Sequence, residues 1–341
     1  MTVPTETGRF TLGDLKLQSG EVLPGATLSW KSYGTLSPQR DNVIVYPTSY
    51  SAKHTDQEWL IAPDKVLDPT RWFIVTPDMF GNGLSSSPSN TPDYPKLVTS
   101  TDNVRAQQRF LSEQFGIERI AAVYGFSMGA QQAYHWAALF PDVVERAIVV
   151  AGSARTSPHN KVFLLSLFAT LEASPEYLGG IRYSSEPRKA LRAFSRIYAG
   201  WAMSHYWYRE GLHLSSSGAT DLEDFLSNKW EPGFHETGAA NLHAQGLTWL
   251  NGDISDNELY GGDLIKALNA IKASVLLLPG RTDMYFPPDD NALDVGHLAR
   301  SELRPIPSVW GHVAGAPDNN PPDLAFIRHA VLDWLARPVW S

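Results

Sequence analysis

The sequence predicts an α/β protein, a mostly parallel sheet with helices between its strands and one helical insertion. Three observations carry that expectation. Short apolar runs, several bounded by Pro, Gly or Asp, recur along the chain, as they do in strands buried on both faces. A segment of helical periodicity separates two of these runs, and strand, helix, strand is how a parallel sheet is built. The runs stop after Ala151, resume at Val275, and leave a helix-rich, aromatic stretch between.

The strand signals in order are residues 43–46 (Val-Ile-Val-Tyr), 72–76 (Trp-Phe-Ile-Val-Thr), 120–124 (Ile-Ala-Ala-Val-Tyr), 147–151 (Ala-Ile-Val-Val-Ala) and 275–278 (Val-Leu-Leu-Leu). Between the second and third, residues 101–115 read as a helix with Val104, Phe110 and Leu111 on its apolar face. Asp102 stands in the first turn, where a carboxylate suits the helix dipole. A C-terminal helix over 323–336 places Leu324, Phe326, Ile327, Ala330, Val331 and Leu335 near a 3.6-residue period. Residues 155–264 show no convincing strand. Because the sheet pattern continues on the far side, they read as an insertion, with 1–154 and 265–341 forming one core domain. The chain has no internal repeat.

At 341 residues, with 43% hydrophobic and 19% charged residues, the chain has ample core and is not disordered. The absence of cysteine excludes disulfides, iron–sulfur clusters, thiolate-held zinc and a thiol nucleophile, so covalent catalysis must use oxygen or nitrogen. A net charge of −8 argues against nucleic-acid and anionic-membrane partners, which need a basic face. No basic segment followed by an apolar one opens the chain, and no window reaches the ~18 apolar residues of a membrane span, so a cytoplasmic protein is expected.

The strongest local signal is Gly125-Phe-Ser-Met-Gly129, directly after one strand signal and before the helix-like residues 130–139. A G-x-S-x-G at a strand-to-helix turn holds its serine on a strained elbow, while the glycines let strand and helix approach. Ser127 is the candidate nucleophile; without that context the pattern is an ordinary tight turn. A serine hydroxyl needs a base, and the base an orienting carboxylate, in the chain order Ser, acid, His. Asp283, in the loop after 275–278, is the preferred acid, since open α/β sheets build sites at the carboxyl ends of strands. Asp289 and Asp290 follow two prolines and suit a turn or helix start.

Three histidines follow Asp283. His329 lies in the C-terminal helix and His297 at a helix end, whereas His312 sits in the glycine-flanked loop Trp310-Gly-His-Val-Ala-Gly315, after the strand-like 302–306. His312 is therefore the candidate base. Acyl transfer also needs backbone N–H groups aimed at the oxyanion. Met128, the residue after the nucleophile, supplies one, and the loop after 43–46 supplies the other; proline excludes Pro47, and Ser49 is preferred over Tyr50.

Other features weigh less. The loop Asp78-Met-Phe-Gly-Asn-Gly83 lacks the third glycine of a dinucleotide site, and His54-x-Asp56 and His205 read as solvated or packed residues, so no metal and no cofactor are expected. His135 is expected to pack against the sheet. Aromatic residues 201–208 suit either an acyl or alcohol pocket or helix packing.

With these residues in order, the chain resembles the α/β-hydrolase superfamily, and within it the homoserine O-acetyltransferase-like branch. The resemblance covers nearly the whole chain. It rests on Tyr33-Gly-Thr-Leu36, Gly81-Asn-Gly83 with Ser85 to Ser89, Asn103-Val-Arg-Ala-Gln107, the Ser127 elbow, and Asn241-Leu-His-Ala-Gln245 through Trp249 to Asp253. It implies a mostly parallel eight-stranded sheet, a helical cap at 155–264, an acyl-enzyme on Ser127 and a homodimer. Two departures separate the chain from the transferases of that branch. Their G-G-S-M-G-G elbow is replaced by one with Phe126 and Ala130, and their N-E-x-x-R-x-A-I stretch by Asn160-Lys-Val-Phe-Leu-Leu-Ser-Leu167, with Lys161 and Leu164 at the Glu and Arg positions. The chain is similar instead to transacetylase-fold esterases, so a small-molecule ester, acetyl esters foremost, is the expected substrate. Acetyl-CoA-dependent transfer to homoserine or a related hydroxyl is the alternative.

Overall fold

A computed structural model describes residues 3–338. Two long strands, β1 (Thr5–Lys16) and β2 (Val22–Tyr33), pair antiparallel at the start. There follow β3 (Val43–Val45), β4 (Phe73–Pro77), helix α1 (Ser100–Phe115), β5 (Ala122–Phe126), helix α2 (Met128–Leu139) and β6 (Arg146–Val150). Next come α3 (Pro158–Glu172), β7 (Tyr177–Gly179), β8 (Arg182–Tyr183), α4 (Arg188–Ala202), α5 (His205–Arg209), α6 (Leu212–Ser215), α7 (Leu222–Asp224), α8 (Glu231–Thr237) and α9 (Ala239–Leu250). The chain closes with α10 (Leu264–Ala270), β9 (Ser274–Leu278), α11 (Pro288–Val295), β10 (Ser301–Leu303) and α12 (Pro321–Ala336).

The sheet has eight strands in the order β1-β2-β4-β3-β5-β6-β9-β10, parallel from β4 to β10 and antiparallel at β1/β2 and β2/β4. Alternation along its central strands divides the core. Val43, Val45 and Val123 face a layer containing α1 and α2, whereas Ile44, Tyr46, Ala122 and Tyr124 face one containing α12 and the 3₁₀ turn His54–Leu60. Because both faces are covered, these strands show no polar alternation, and each large aliphatic contributes about 1.5–3 kcal/mol by leaving water.

The strand signals all lie on observed strands, with shifted ends. Residues 120–124 become β5, which runs on through Gly125 and Phe126 and pairs them with Val149 and Val150 of β6. An apolar run cannot show this, since it ends at the glycine. The helix expected at 101–115 begins at Ser100; the Thr99 hydroxyl accepts the Asp102 N–H, and Asp102 accepts the Thr99 N–H, closing a capping box. The strand expected at 302–306 is shorter, since Pro305 lacks an N–H and Ile306 retains only an isolated bridge to Gly280. The hairpin β1/β2 lacks a wholly apolar run: β1 is an edge strand whose outer residues stay in water.

Between β6 and β9 the segment is mostly helical, but it contains the small β7/β8 hairpin where no strand was expected. Strands of three and two residues are too short for periodicity to show. Helices α3, α4 and α9 form a third apolar cluster with Tyr50, Met128, Tyr285 and Phe286, over the carboxyl ends of the parallel strands. The aromatic stretch 201–208 divides. Trp201 joins that cluster, while Trp207 is buried in a satellite with Phe225 and Met203.

Candidate active site

Ser127 lies between β5 and α2 with φ 56° and ψ −125°, in the left-handed region that L-residues avoid. The flanking glycines make this turn possible. A Cβ on Gly125 would stand 2.1 Å from the Gly129 carbonyl oxygen, and one on Gly129 would stand 2.6 Å from the Pro47 carbonyl oxygen. Both obstacles are backbone. Tight closure lifts the Ser127 hydroxyl above the sheet beside the N-terminus of α2.

His312 reaches that hydroxyl. Its Nε2 lies 2.9 Å from Ser127 Oγ and its Nδ1 lies 2.8 Å from Asp283 Oδ2. The second carboxylate oxygen of Asp283 accepts the N–H groups of Tyr285 (2.7 Å) and Phe286 (3.1 Å), so both oxygens are occupied and the carboxylate cannot turn. Ser127, Asp283 and His312 are 3%, 4% and 5% exposed, which keeps the chain of bonds out of competing water. The two late loops are also tied together: the Thr282 hydroxyl donates to the Ser308 carbonyl and accepts the Gly311 N–H. Asp289 and Asp290 stand in the first turn of α11, His329 is exposed on α12, and His297 follows α11; none of them joins this chain of bonds.

Rings enclose the imidazole. Phe126 stacks on it at 4.9 Å between centroids, and Tyr285 meets it edge-on at 4.8 Å. Beyond Tyr285 stand Phe163 (4.6 Å) and Trp249 (5.4 Å). Burial raises the Tyr50 and Tyr285 hydroxyls well above their usual pKa, so both stay neutral. Helix α3 turns Phe163, Leu164 and Leu167 into the core and leaves Lys161 exposed, so its inward face carries no charge.

The loop after β3 approaches from the other side. Gln132 of α2 donates to the Thr48 carbonyl (2.9 Å), Gln57 to the Pro47 carbonyl (3.0 Å), and the Met79 N–H to the Thr48 hydroxyl (2.9 Å). Among the described residues, the N–H groups of Met128, Ser49 and Tyr50 have no protein acceptor. Asp78, at the end of β4, takes the His54 Nδ1 at 2.6 Å and the His54 N–H at 2.9 Å; both residues are buried. Thus His54 partners Asp78 and Asp56 caps the 3₁₀ turn. The rule that drew attention to Asp283, an acid just past a strand end, also singles out Asp78.

His135 is buried on α2 with Nδ1 2.8 Å from the Gln131 carbonyl, and burial lowers its pKa, so it packs as a neutral ring. Among the described residues, no group of three or more His, Asp or Glu side chains is arranged to hold a metal ion, and no helix is long and apolar enough to cross a membrane.

Comparison with known proteins identifies the family. Residues 54–314 match the alpha/beta hydrolase fold family. A probable esterase of Corynebacterium glutamicum is 38% identical over 91% of this chain and 90% of its own. An ethyl acetate hydrolase of Pseudomonas veronii is 35% identical over 89% and 88%. The solved structure of the acetyl esterase MekB superposes with a TM-score of 0.92 at 32% identity, covering 97% of each chain. A homoserine O-acetyltransferase of Methanosalsum zhilinae is more distant, 27% identical over 88% of this chain and 68% of its own. The chain belongs to the α/β-hydrolase family, in the branch that joins esterases to homoserine O-acetyltransferases.

Proposed function

We propose that the protein is a serine esterase that hydrolyses small acyl esters, acetyl esters foremost, through Ser127, His312 and Asp283. The observation that carries this reading is the unbroken chain of hydrogen bonds from Asp283 through His312 to Ser127, on a strained elbow. His312 Nε2 takes the Ser127 proton as Oγ attacks the ester carbonyl, while Asp283 holds Nδ1–H and supports the imidazolium. The N–H groups of Met128 and Ser49 receive the oxyanion. Collapse breaks the bond to the alcohol, which leaves with the proton from His312, and the acyl group stays on Ser127. Water then attacks; His312 takes its proton and returns it to Ser127 Oγ as the carboxylic acid leaves.

Residues 155–264 act in this reading as a cap on a core made of 1–154 and 265–341. The uncharged inward face of α3 favours water over a zwitterionic acceptor, because an amino acid would lose its solvation there without a partner. The proposal extends to a homodimer, on the likeness to the branch, and to a cytoplasmic location, on the sequence reading; light scattering of the purified protein and fractionation of expressing cells check them.

A 4-nitrophenyl acetate assay on purified protein tests the chemistry. Hydrolysis that disappears in Ser127→Ala is the expected outcome; hydrolysis surviving that substitution overturns it. Acetyl-CoA consumption that occurs only with homoserine present would establish the transferase reading instead.

A further inference from the structure

The loop that supplies the second oxyanion donor is held from the cap. Gln245, fully buried on α9, accepts the Ser51 N–H with its Oε1 at 2.7 Å and donates from Nε2 to the Phe80 carbonyl at 3.3 Å. One side chain thus bridges the loops that follow β3 and β4. Ser51 itself has φ 59°, a strained conformation that an ordinary loop would relax unless its N–H were held. One residue earlier, the Tyr50 hydroxyl donates to the Leu242 carbonyl of α9 at 2.8 Å, so consecutive residues beside Ser49 are both fastened to one cap helix. The arrangement also decides which amides remain free: Gln245 takes the Ser51 N–H, leaving those of Ser49 and Tyr50 without a protein acceptor.

We infer that Gln245 is a positioning residue, through which cap helix α9 sets the oxyanion-binding geometry of the loop 48–51. The inference rests on the reading of Ser49 and Met128 as oxyanion donors. Gln245 does not touch the reacting atoms. It acts because an oxyanion donor works only within a narrow range of distance and angle, and a misplacement of about 1 Å costs up to ~100-fold. Loss of the Ser51 tether lets φ relax and swings the neighbouring amide away.

The test compares Gln245→Met, which keeps the volume but removes both bonds, with Gln245→Glu, which keeps an acceptor for the Ser51 N–H. Active sites are counted by fluorophosphonate titration, so that unfolded protein does not enter the rate. Gln245→Met should lower kcat/KM for 4-nitrophenyl acetate about 10- to 100-fold per titrated site. It should weaken, by a similar factor, a trifluoromethyl ketone whose tetrahedral adduct places an oxyanion in the hole. Gln245→Glu should recover most of both. A merely structural role would lower Tm and the titrated fraction but leave both quantities per site unchanged, and that result overturns the inference. If Gln245→Met does not fold, Gln245→Asn, one carbon too short to reach Ser51, is read the same way. Ser127→Ala separates the two claims: activity that survives it refutes the esterase reading itself, whereas loss in Ser127→Ala with an unaffected Gln245→Met refutes only the role of Gln245.

Discussion

Asp283 uses both carboxylate oxygens, one on the imidazole and one on two backbone amides, so its charge and its geometry act separately. Asp283→Asn keeps the shape but offers an amide where Nδ1–H needs an acceptor, and the imidazole takes the wrong tautomer. We expect kcat to fall by about 10³–10⁴ with little change in Tm, by stopped assay and thermal melt. Phe163 is a second informative residue. It is fully buried, and its ring packs against Tyr198, Trp201, Trp249 and Tyr285, filling space next to the ring that touches His312. Phe163→Ala should open a cavity there, shift the ratio of butanoate to acetate hydrolysis toward butanoate, and cost about 3–5 kcal/mol of stability. An unchanged chain-length profile in folded protein would show that Phe163 does not bound the acyl site.

Among the elements, α11 lies close behind the Asp283 loop and carries the buried Asp294. Burial raises its pKa to about 6, although its Oδ2 accepts the Tyr134 hydroxyl at 3.0 Å. The sign follows from linkage. A carboxyl that holds its proton more tightly when folded than unfolded opposes folding once it ionises, so stability declines as pH rises from about 4 to 6 and then levels off. Asn keeps the acceptor for Tyr134 and does not ionise. The stability of Asp294→Asn relative to the parent should therefore grow between pH 4 and pH 6, by at most about 3 kcal/mol, and stay constant above. Urea melts at several pH values measure it; a pH-independent difference would mean that Asp294 does not titrate in this range. The elements also differ in how far their sequences announce them. Strands β3, β4, β5, β6 and β9 each carry an unbroken apolar run and were legible, because both faces are buried. The hairpins β1/β2 and β7/β8 were not, since register shifts at Thr11–Gly13 and Gly13–Leu15 break the alternation of β1, and strands of three and two residues are too short to show any.

At the scale of the whole molecule, the chain entering α3 meets the chain leaving α9. Arg155 bonds Asp253 (Nε to Oδ2 2.6 Å) and the Ser255 hydroxyl (2.8 Å), and backbone bonds join Ala154 to Ile254 and Thr156 to Gly252. These bonds tie residues 154–156 to residues 252–255 at the base of helices α3 to α9. Arg155→Ala should lower stability by about 1–2 kcal/mol and speed proteolysis between 155 and 264 before the core is cut, read by thermal melt and mass spectrometry of the fragments. Cleavage that begins in the core would contradict this. Ser127, Asp283 and His312 could be named from the chain alone, because a strand end, a chain order and a glycine-flanked loop are local patterns. So could the family and the absence of a thiol nucleophile. What only the tertiary structure decided are the partners that hold those residues in place. Asp78 beneath His54, Gln132 and Gln245 around the loop 48–51, and the rings on His312 come from positions 24 to 194 residues away from the groups they hold. A hydrogen bond between distant segments needs only one side chain of suitable length at each end, and such a pair leaves no periodicity in the sequence. The candidate residues are therefore marked by local pattern, while their alignment comes from packing.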